Sequence, residues 1–246
     1  MPASSLIPAG LVDALRDARH VCVLTGAGIS AESGVPTFRD AQTGLWEQYD
    51  PQDLATPDAF VRDPALIWRW YRWRRELVLR AEPNAGHLAL ARLESRLQRL
   101  TLVTQNVDGL HQRAGSRQVI EFHGNIFADR CFVEGCTVTV ESDADVPTCP
   151  GCGGHVRPGV VWFGETIPDT ALNAAFGAAA ECDLFLSIGT SSLVYPAAGL
   201  AEIARDAAAI VAEINPQPTD LARSADFAIA AKAGAALPEL VDSLPD

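Results

Sequence analysis

Apolar positions in this chain gather into short unbroken runs rather than alternating with polar ones. The runs are VCVLTGAG at 21–28, LTLVTQN at 100–106, VIEFHG at 119–124, VVWFGE at 160–165, LFLSIGTS at 184–191, AIVAEIN at 209–215 and FAIAA at 227–231. Such runs, ending on glycine or other turn residues, predict strands buried on both faces. Helical spacing fills many of the gaps: LVDALRDAR at 11–19, HLALARLESRLQR at 87–99, LNAAFGAAAE at 172–181 and LAEIARDAA at 200–208. Buried strands alternating with helices imply an α/β fold, a parallel sheet covered on both faces. Two segments break the rhythm. Residues 37–83 are rich in Trp, Tyr and Arg and read as helical around 64–80; residues 125–158 carry four cysteines among acidic and turn residues. The expected organisation is one sheet domain made of 1–36, 84–124 and 159–246. The insertions 37–83 (helical) and 125–158 (metal-binding) together form a small second domain.

Composition narrows the partners. The formal net charge is −12 and the isoelectric point about 4.8. A surface this acidic repels phosphate backbones, which argues against nucleic-acid binding through a basic face. It favours cationic partners such as lysine-rich protein segments, and equally it favours plain solubility. Lys232 is the sole lysine. No apolar run is long enough to span a bilayer. The first residues lack a basic region followed by an apolar one, and Asp13 and Asp17 argue against a transit peptide, so the expected compartment is the cytoplasm. Oligomeric state is not written in the pattern; a monomer is expected.

The loop after the first run reads Gly26-Ala27-Gly28-Ile29-Ser30-Ala31, which fits G-x-G-x-x-G/A between a strand and a helix. The first glycine permits the tight turn, and the second lets backbone approach a pyrophosphate. A dehydrogenase would place an acidic residue at the end of the next strand, about 20 residues on. The stretch found there, PTFRDAQTGLWEQYD, does not read as a strand. A dinucleotide is expected, but not held as dehydrogenases hold it.

Cys131 and Cys136 form C-x4-C, and Cys149 and Cys152 form C-x2-C, with Gly135, Pro150 and Gly151 as turn residues. Paired short spacings in a reducing compartment suit one tetrahedral zinc with four thiolate ligands. A full set of protein ligands leaves no open position, so the metal is expected to be structural. His155 is an alternative ligand, and a redox C-x-x-C at 149–152 is the other reading of the second pair. Cys22 and Cys182 lie in apolar surroundings and read as core.

GAGISAESGVPTFR at 26–39, TQNVDGLH at 104–111, EFHG at 121–124, VVWFGE at 160–165 and GTSSLVYPA at 190–198 together resemble the sirtuins, in that family's order and over most of the chain. The resemblance implies a Rossmann-like NAD-binding sheet and NAD-dependent deacylation of protein lysines. Gly26, Ala27, Gly28, Ser30 and Ala31 would line the pyrophosphate and nicotinamide-ribose site, with Phe38 and Arg39 on a loop over the cofactor. Gln105, Asn106 and Asp108 would hold the ribose and the carboxamide, with Asn106 also catalytic. Gly189, Thr190 and Ser191 would bind phosphate and ribose, Asn215 the adenosine ribose, and Ala233 would lie near the adenine. His123 would be the general base that deprotonates a ribose hydroxyl. That role suits a neutral imidazole at a strand's carboxyl end, the edge where open parallel sheets bind ligands. An isolated histidine there is more often a structural cap; within EFHG, beside the other motifs, the balance reverses toward the base. His20, His87 and His111 are read as structural.

Tyr71 and Arg74 stand three apart on one helical face. With DLATPDAF just before them they resemble the sirtuin branch that removes acidic acyl groups. A guanidinium fork and a phenol donor suit a carboxylate, and Ala59 would leave room in the pocket. Val160, Phe163 and Val194 would flank the acyl-lysine, and the protein substrate would add as an extended strand. Succinyl, malonyl and acetyl lysine are the expected substrates. The rivals are a protein ADP-ribosyltransferase using the same cofactor and a zinc-containing module that senses NAD without turnover.

Overall fold

The computed structural model describes residues 5–36, 49, 54–140 and 144–244. Among these, nine strands run in chain order: β1 Val21–Thr25, β2 Leu100–Thr104, β3 Val119–Glu121, β4 Gly124–Cys131, β5 Thr137–Val138, β6 Val156–Val160, β7 Leu184–Ile188, β8 Ile210–Ile214 and β9 Phe227–Ile229. Six form one all-parallel sheet in the order β3-β2-β1-β7-β8-β9. The order reverses between β1 and β7, as in a doubly wound dinucleotide-binding sheet.

Burial on both faces explains the unbroken apolar runs. Along β1, Val21 and Val23 pack on one side with Leu11 and Leu15 of the Ala9–Asp17 helix, Leu90 and Leu93 of the Ala85–Arg96 helix, and Leu237 and Leu240 of the Ala233–Asp242 helix. Cys22 and Leu24 face the other way, toward Ala175, Ala178 and Ala179 of the Asp169–Glu181 helix and Leu200, Ala201 and Ala204 of the Leu200–Asp206 helix. Successive strand residues point to opposite faces, so both must be apolar. Cys22 and Cys182 both lie in this second core. No described helix is long and apolar enough to cross a membrane.

The smaller sheet is antiparallel, in the order β5-β4-β6. Against it lies the Pro64–Arg80 helix, which starts cleanly because the Asp63 side chain accepts from Leu66 N (2.9 Å) and Pro64 takes the first helical position. Ile67, Trp68, Trp70 and Tyr71 of that helix pack with Ile126, Val156, Val160 and Trp162. The Trp68 indole donates to Val156 O (2.8 Å), which seats the helix on β6.

One expected strand is corrected here. VVWFGE does not join the parallel sheet: Val160 ends antiparallel β6, and the chain then turns. The turn has a local cause, since Glu165 N bonds back to Trp162 O (3.0 Å) and the Glu165 carboxylate accepts from Trp162 N (2.8 Å).

At the reversal point the loop after β1 and the end of β7 touch through backbone. Gly26 N donates to Ile188 O (3.0 Å) and Gly28 N to Gly189 O (2.8 Å). A Cβ on Gly28 would stand 2.7 Å from Gly189 O; one on Gly189, whose φ is +59°, would stand 2.6 Å from Ile29 N. Gly189→Ala is therefore expected to lower stability by about 1–3 kcal/mol through the left-handed backbone and the forced separation of the two segments. A urea titration reads this directly, and an unchanged midpoint would show that the loop can leave β7 without cost.

Candidate functional site

A cleft of about 1750 Å³ opens at the carboxyl edge of the parallel sheet, over the β1/β7 reversal. Its floor is Gly26, Ala27, Gly28 and Ser30 after β1; Gln105, Asn106 and Asp108 after β2; His123 after β3; Gly189, Thr190 and Ser191 after β7; and Asn215 after β8. Parallel strands deliver all these loops to the same edge, which is why residues so far apart in the chain converge.

The floor is cross-braced by hydrogen bonds. Asn106 Nδ2 donates to Gly26 O and to Ser30 Oγ, both at 3.0 Å. Ser30 Oγ donates to Asp108 Oδ2 (2.7 Å), whose other oxygen accepts from Leu110 N (2.9 Å). Across the reversal, Gln105 Nε2 donates to Thr190 Oγ1 (2.9 Å) and Asn215 Nδ2 to Thr190 O (2.9 Å). Both Asn106 amide hydrogens are thus committed, which leaves its carbonyl as an acceptor.

His123 Nδ1 lies 3.1 Å from Gln105 O. A carbonyl can only accept, so Nδ1 carries the proton and Nε2 keeps a lone pair. Burial lowers the His123 pKa below the usual 6.5, with the Gln105 contact opposing. The ring is therefore neutral at pH 7. The next residue, Gly124, has φ +79°, and a Cβ there would collide with Gly159 O at 2.2 Å. That close approach starts the β4–β6 pair directly after the histidine.

One wall carries Tyr71, Arg74 and Val78 of the Pro64–Arg80 helix, and Phe163, Leu193, Val194 and Tyr195 also line the cleft. These last four are exposed, Tyr195 to 68%. Exposed large apolar residues gathered on one cleft are uncommon on a solvated surface. Tyr71 is buried, and burial pushes its phenol up to about 12, so it stays protonated. Burial lowers the Arg74 pKa, while Tyr71 and Asp108 oppose it. Its guanidinium lies 5.0 Å from the Trp70 ring centroid.

Of the residues singled out in the sequence, Val160 also lines the cleft, whereas Ala31, Ala59 and Ala233 do not. Ala31 is exposed at the end of the Ala27–Ala31 helix. Ala55 and Ala59 both belong to the apolar cluster beneath the wall, and of the two it is Ala55 that also lines the cleft. Ala233 is buried against Gly86. Phe38 and Arg39 lie outside the described residues. Sequence reasoning also passed over Trp162, Thr166, Gln217 and Arg223, all on the cleft. Trp162 stood inside a quoted motif, but nothing in its spacing linked it to Tyr71. His87 and His111 are buried with ring centroids 4.8 Å apart, and burial takes His111 down to about 3. Both are neutral packing groups beneath the floor.

Away from the cleft, Cys131, Cys136 and Cys149 hold their Sγ atoms within 4.8 Å of one another, and Cys152 Sγ is 3.4 Å from Cys131 Sγ. Two turns of the same build present them: Gly135 N bonds to Cys131 O (3.0 Å) and Gly153 N to Cys149 O (2.8 Å), each glycine in the left-handed region. Thiolates bound to one zinc at roughly 2.3 Å stand roughly 3.8 Å apart, so the cluster fits that ion.

The fold and the cleft define a dinucleotide-binding α/β protein, and comparison with known proteins narrows the class. Residues 26–196 match the Sir2 family. NAD-dependent protein deacylase 1 of Pseudomonas aeruginosa is 50% identical over 241 residues, covering 94% of this chain and 96% of that protein. NAD-dependent protein deacylase 2 of Pyrobaculum aerophilum is 51% identical over 236 residues, covering 95% and 94%. Among solved structures, a Sir2 homologue in complex with NAD superposes with a TM-score of 0.89 at 44% identity, over 97% of this chain and 94% of that one. A Sir2 variant with a deacetylated p53 peptide and 3'-O-acetyl ADP-ribose gives 0.84 at 33% identity, over 95% and 96%. The chain belongs to the Sir2 family.

Elemental analysis of the purified chain is expected to find one zinc per molecule, and Cys149→Ser to lose it together with part of the thermal stability. A native chain that is metal-free yet unfolds at the same temperature after chelator treatment would rule the structural metal out.

Proposed function

We propose that the chain is an NAD-dependent protein-lysine deacylase that accepts acetyl-lysine and acidic acyl-lysines, succinyl and malonyl. The observation that carries the reading is the His123 tautomer. An imidazole with Nδ1–H tied to Gln105 O keeps its Nε2 lone pair in the cleft, which is what a general base needs and a passive ligand sensor does not. The relatives named NAD-dependent protein deacylases support the same class.

NAD, when bound, would supply an electrophilic anomeric carbon to the acyl oxygen, with nicotinamide as the leaving group; one water is consumed in freeing the lysine, so the products are nicotinamide, acyl-ADP-ribose and free lysine. The donor set of the cleft fits that cofactor. Glycine backbone at 26–28 allows close approach of the pyrophosphate, Thr190 and Ser191 offer hydroxyls to phosphate and ribose, and Asn215 offers its amide to the second ribose. Asn106 presents its carbonyl, and the Ser30 oxygen, whose hydrogen is given to Asp108, can act only as an acceptor. His123 removes the proton from a ribose hydroxyl. The substrate segment lies extended between Phe163 and Val194, held by backbone bonds, which makes for loose sequence preference. The acyl group passes Val160, and Ala55 leaves room beside it. An acidic terminus meets Tyr71 and Arg74, a phenol and a guanidinium that suit a carboxylate. The cysteines hold one structural zinc. With their sheet and the helical insertion they constitute the small domain.

One peptide bearing acetyl-, succinyl- or malonyl-lysine, incubated with NAD and followed by mass, tests this. The native chain is expected to release free lysine and acyl-ADP-ribose from all three. His123→Ala should lose about a hundredfold or more in rate, the usual worth of a general base. Arg74→Met should lose the acidic acyl groups selectively. Transfer of ADP-ribose to protein without deacylation would replace this reading with the transferase.

The pH profile gives an independent check. His123 must be neutral to act, and burial lowers its pKa, so protonation sets in only below 6.5. The acid limb of kcat/KM is therefore expected below pH 6.5. A limb above that value would show a charged-form-stabilising environment and sink the assignment.

A further inference from the structure

Trp162 sits between the substrate lip and the acyl wall, and its indole has a fixed partner. Trp162 Nε1 donates to Tyr71 Oη at 2.8 Å, with both side chains buried. An indole N–H can only donate, so the phenol oxygen accepts at that position. Among the described residues this is the one hydrogen bond at the Tyr71 hydroxyl. The phenol keeps its own proton, because burial holds it un-ionised. With its acceptor side taken by Trp162, the hydroxyl turns its hydrogen away from the indole.

The indole itself is locked. The Arg157 guanidinium lies over the Trp162 ring at 3.4 Å and Phe60 packs on it with centroids 5.4 Å apart. Arg157 is in turn paired bidentately with Glu165, which also accepts from Trp162 N, and donates to Val160 O (2.7 Å). Phe60, Arg157 and Glu165 therefore fix the direction of one N–H bond.

We infer that Trp162 is a positioning residue for acyl selectivity: by occupying the acceptor side of Tyr71 it makes that hydroxyl an obligatory donor to the acyl end of the substrate. This rests on the acidic-acyl reading above. A carboxylate satisfies the donor. An acetyl group ends in a methyl and leaves a buried O–H without a partner, which is the asymmetry that gives polar sites their discrimination. Without the indole N–H, the hydroxyl is free to rotate and to bond elsewhere, and the preference falls.

The test is a double-mutant cycle read as the ratio of kcat/KM for succinyl-lysine over acetyl-lysine in one peptide. Native chain, Trp162→Phe, Tyr71→Phe and the double variant are compared. Trp162→Phe is expected to lower the ratio roughly tenfold, the worth of one charge-assisted hydrogen bond, chiefly through the succinyl KM. In the Tyr71→Phe background it should lower the ratio no further. If Trp162→Phe depresses both peptides in proportion, or the two substitutions multiply, Trp162 acts only as packing and the inference is overturned. Arg74→Met separates this from the parent reading: if it leaves succinyl turnover intact, or the native chain turns over no succinyl peptide, both fail together. Should Trp162→Phe not fold, the NMR indole N–H signals decide without it. One of them must move in Tyr71→Phe and again when succinyl peptide binds, and stationary signals overturn the inference.

Discussion

Two backbone segments that meet at glycines hold this molecule's chemistry in place. The loop after β1 and the end of β7 approach so closely that no side chain fits at Gly28 or Gly189. Everything on the cleft floor is referenced to that contact. Gln105 and Asn215 both bond to Thr190, one residue past it, and Asn106 bonds to Gly26, two residues before Gly28. A tight contact that excludes Cβ atoms is stiff, because any separation forfeits both backbone hydrogen bonds at once. It gives the surrounding amides and hydroxyls a common fixed frame, which sites need for preorganisation.

The two walls of the cleft are of a different kind from its floor. The floor is loop backbone at the edge of a parallel sheet; the wall that carries Tyr71 and Arg74 is one face of an aromatic helix laid on an antiparallel sheet. The junction is short. His123 is followed at once by Gly124 and β4, and β6 ends at Val160, two residues before Trp162. Val161 N even bonds to His123 O, at 2.9 Å. His123 therefore sits at the start of the strand pair on which the Tyr71 helix is laid, and that helix is held there by side chains, Trp68 on Val156 O and Trp162 on Tyr71.

Much of this was legible in the sequence where the cause is local. The glycine loop, the paired cysteines and the helix at 64–80 follow from turn chemistry, ligand spacing and apolar periodicity within a few residues. His123 was legible because a strand's carboxyl end is visible in the run VIEFHG. The misreadings share a cause as well. VVWFGE has the composition of a buried strand, and composition does not say that the partner is β4, antiparallel, or that Glu165 folds the chain back on Trp162. Ala59 and Ala55 are both small buried residues near the same helix start, and only packing decides which one lines the cleft. The Trp162–Tyr71 bond joins residues 91 positions apart in the chain, and no periodicity reports such a pairing.

The placement of β1 has a temporal consequence. Val21 pairs with Leu100 on one side and with Leu184 on the other, so the first strand of the chain waits for strands made much later. Local helices can form early, but closing such long loops is slow and its entropy cost comes before any reward. During synthesis the glycine loop emerges early and finds its partner, Gly189, only after about two-thirds of the chain has followed. The complete cleft is thus among the last features to assemble: a nascent or truncated chain lacking β7 has neither the Gly28–Gly189 contact nor the Gln105–Thr190 bond.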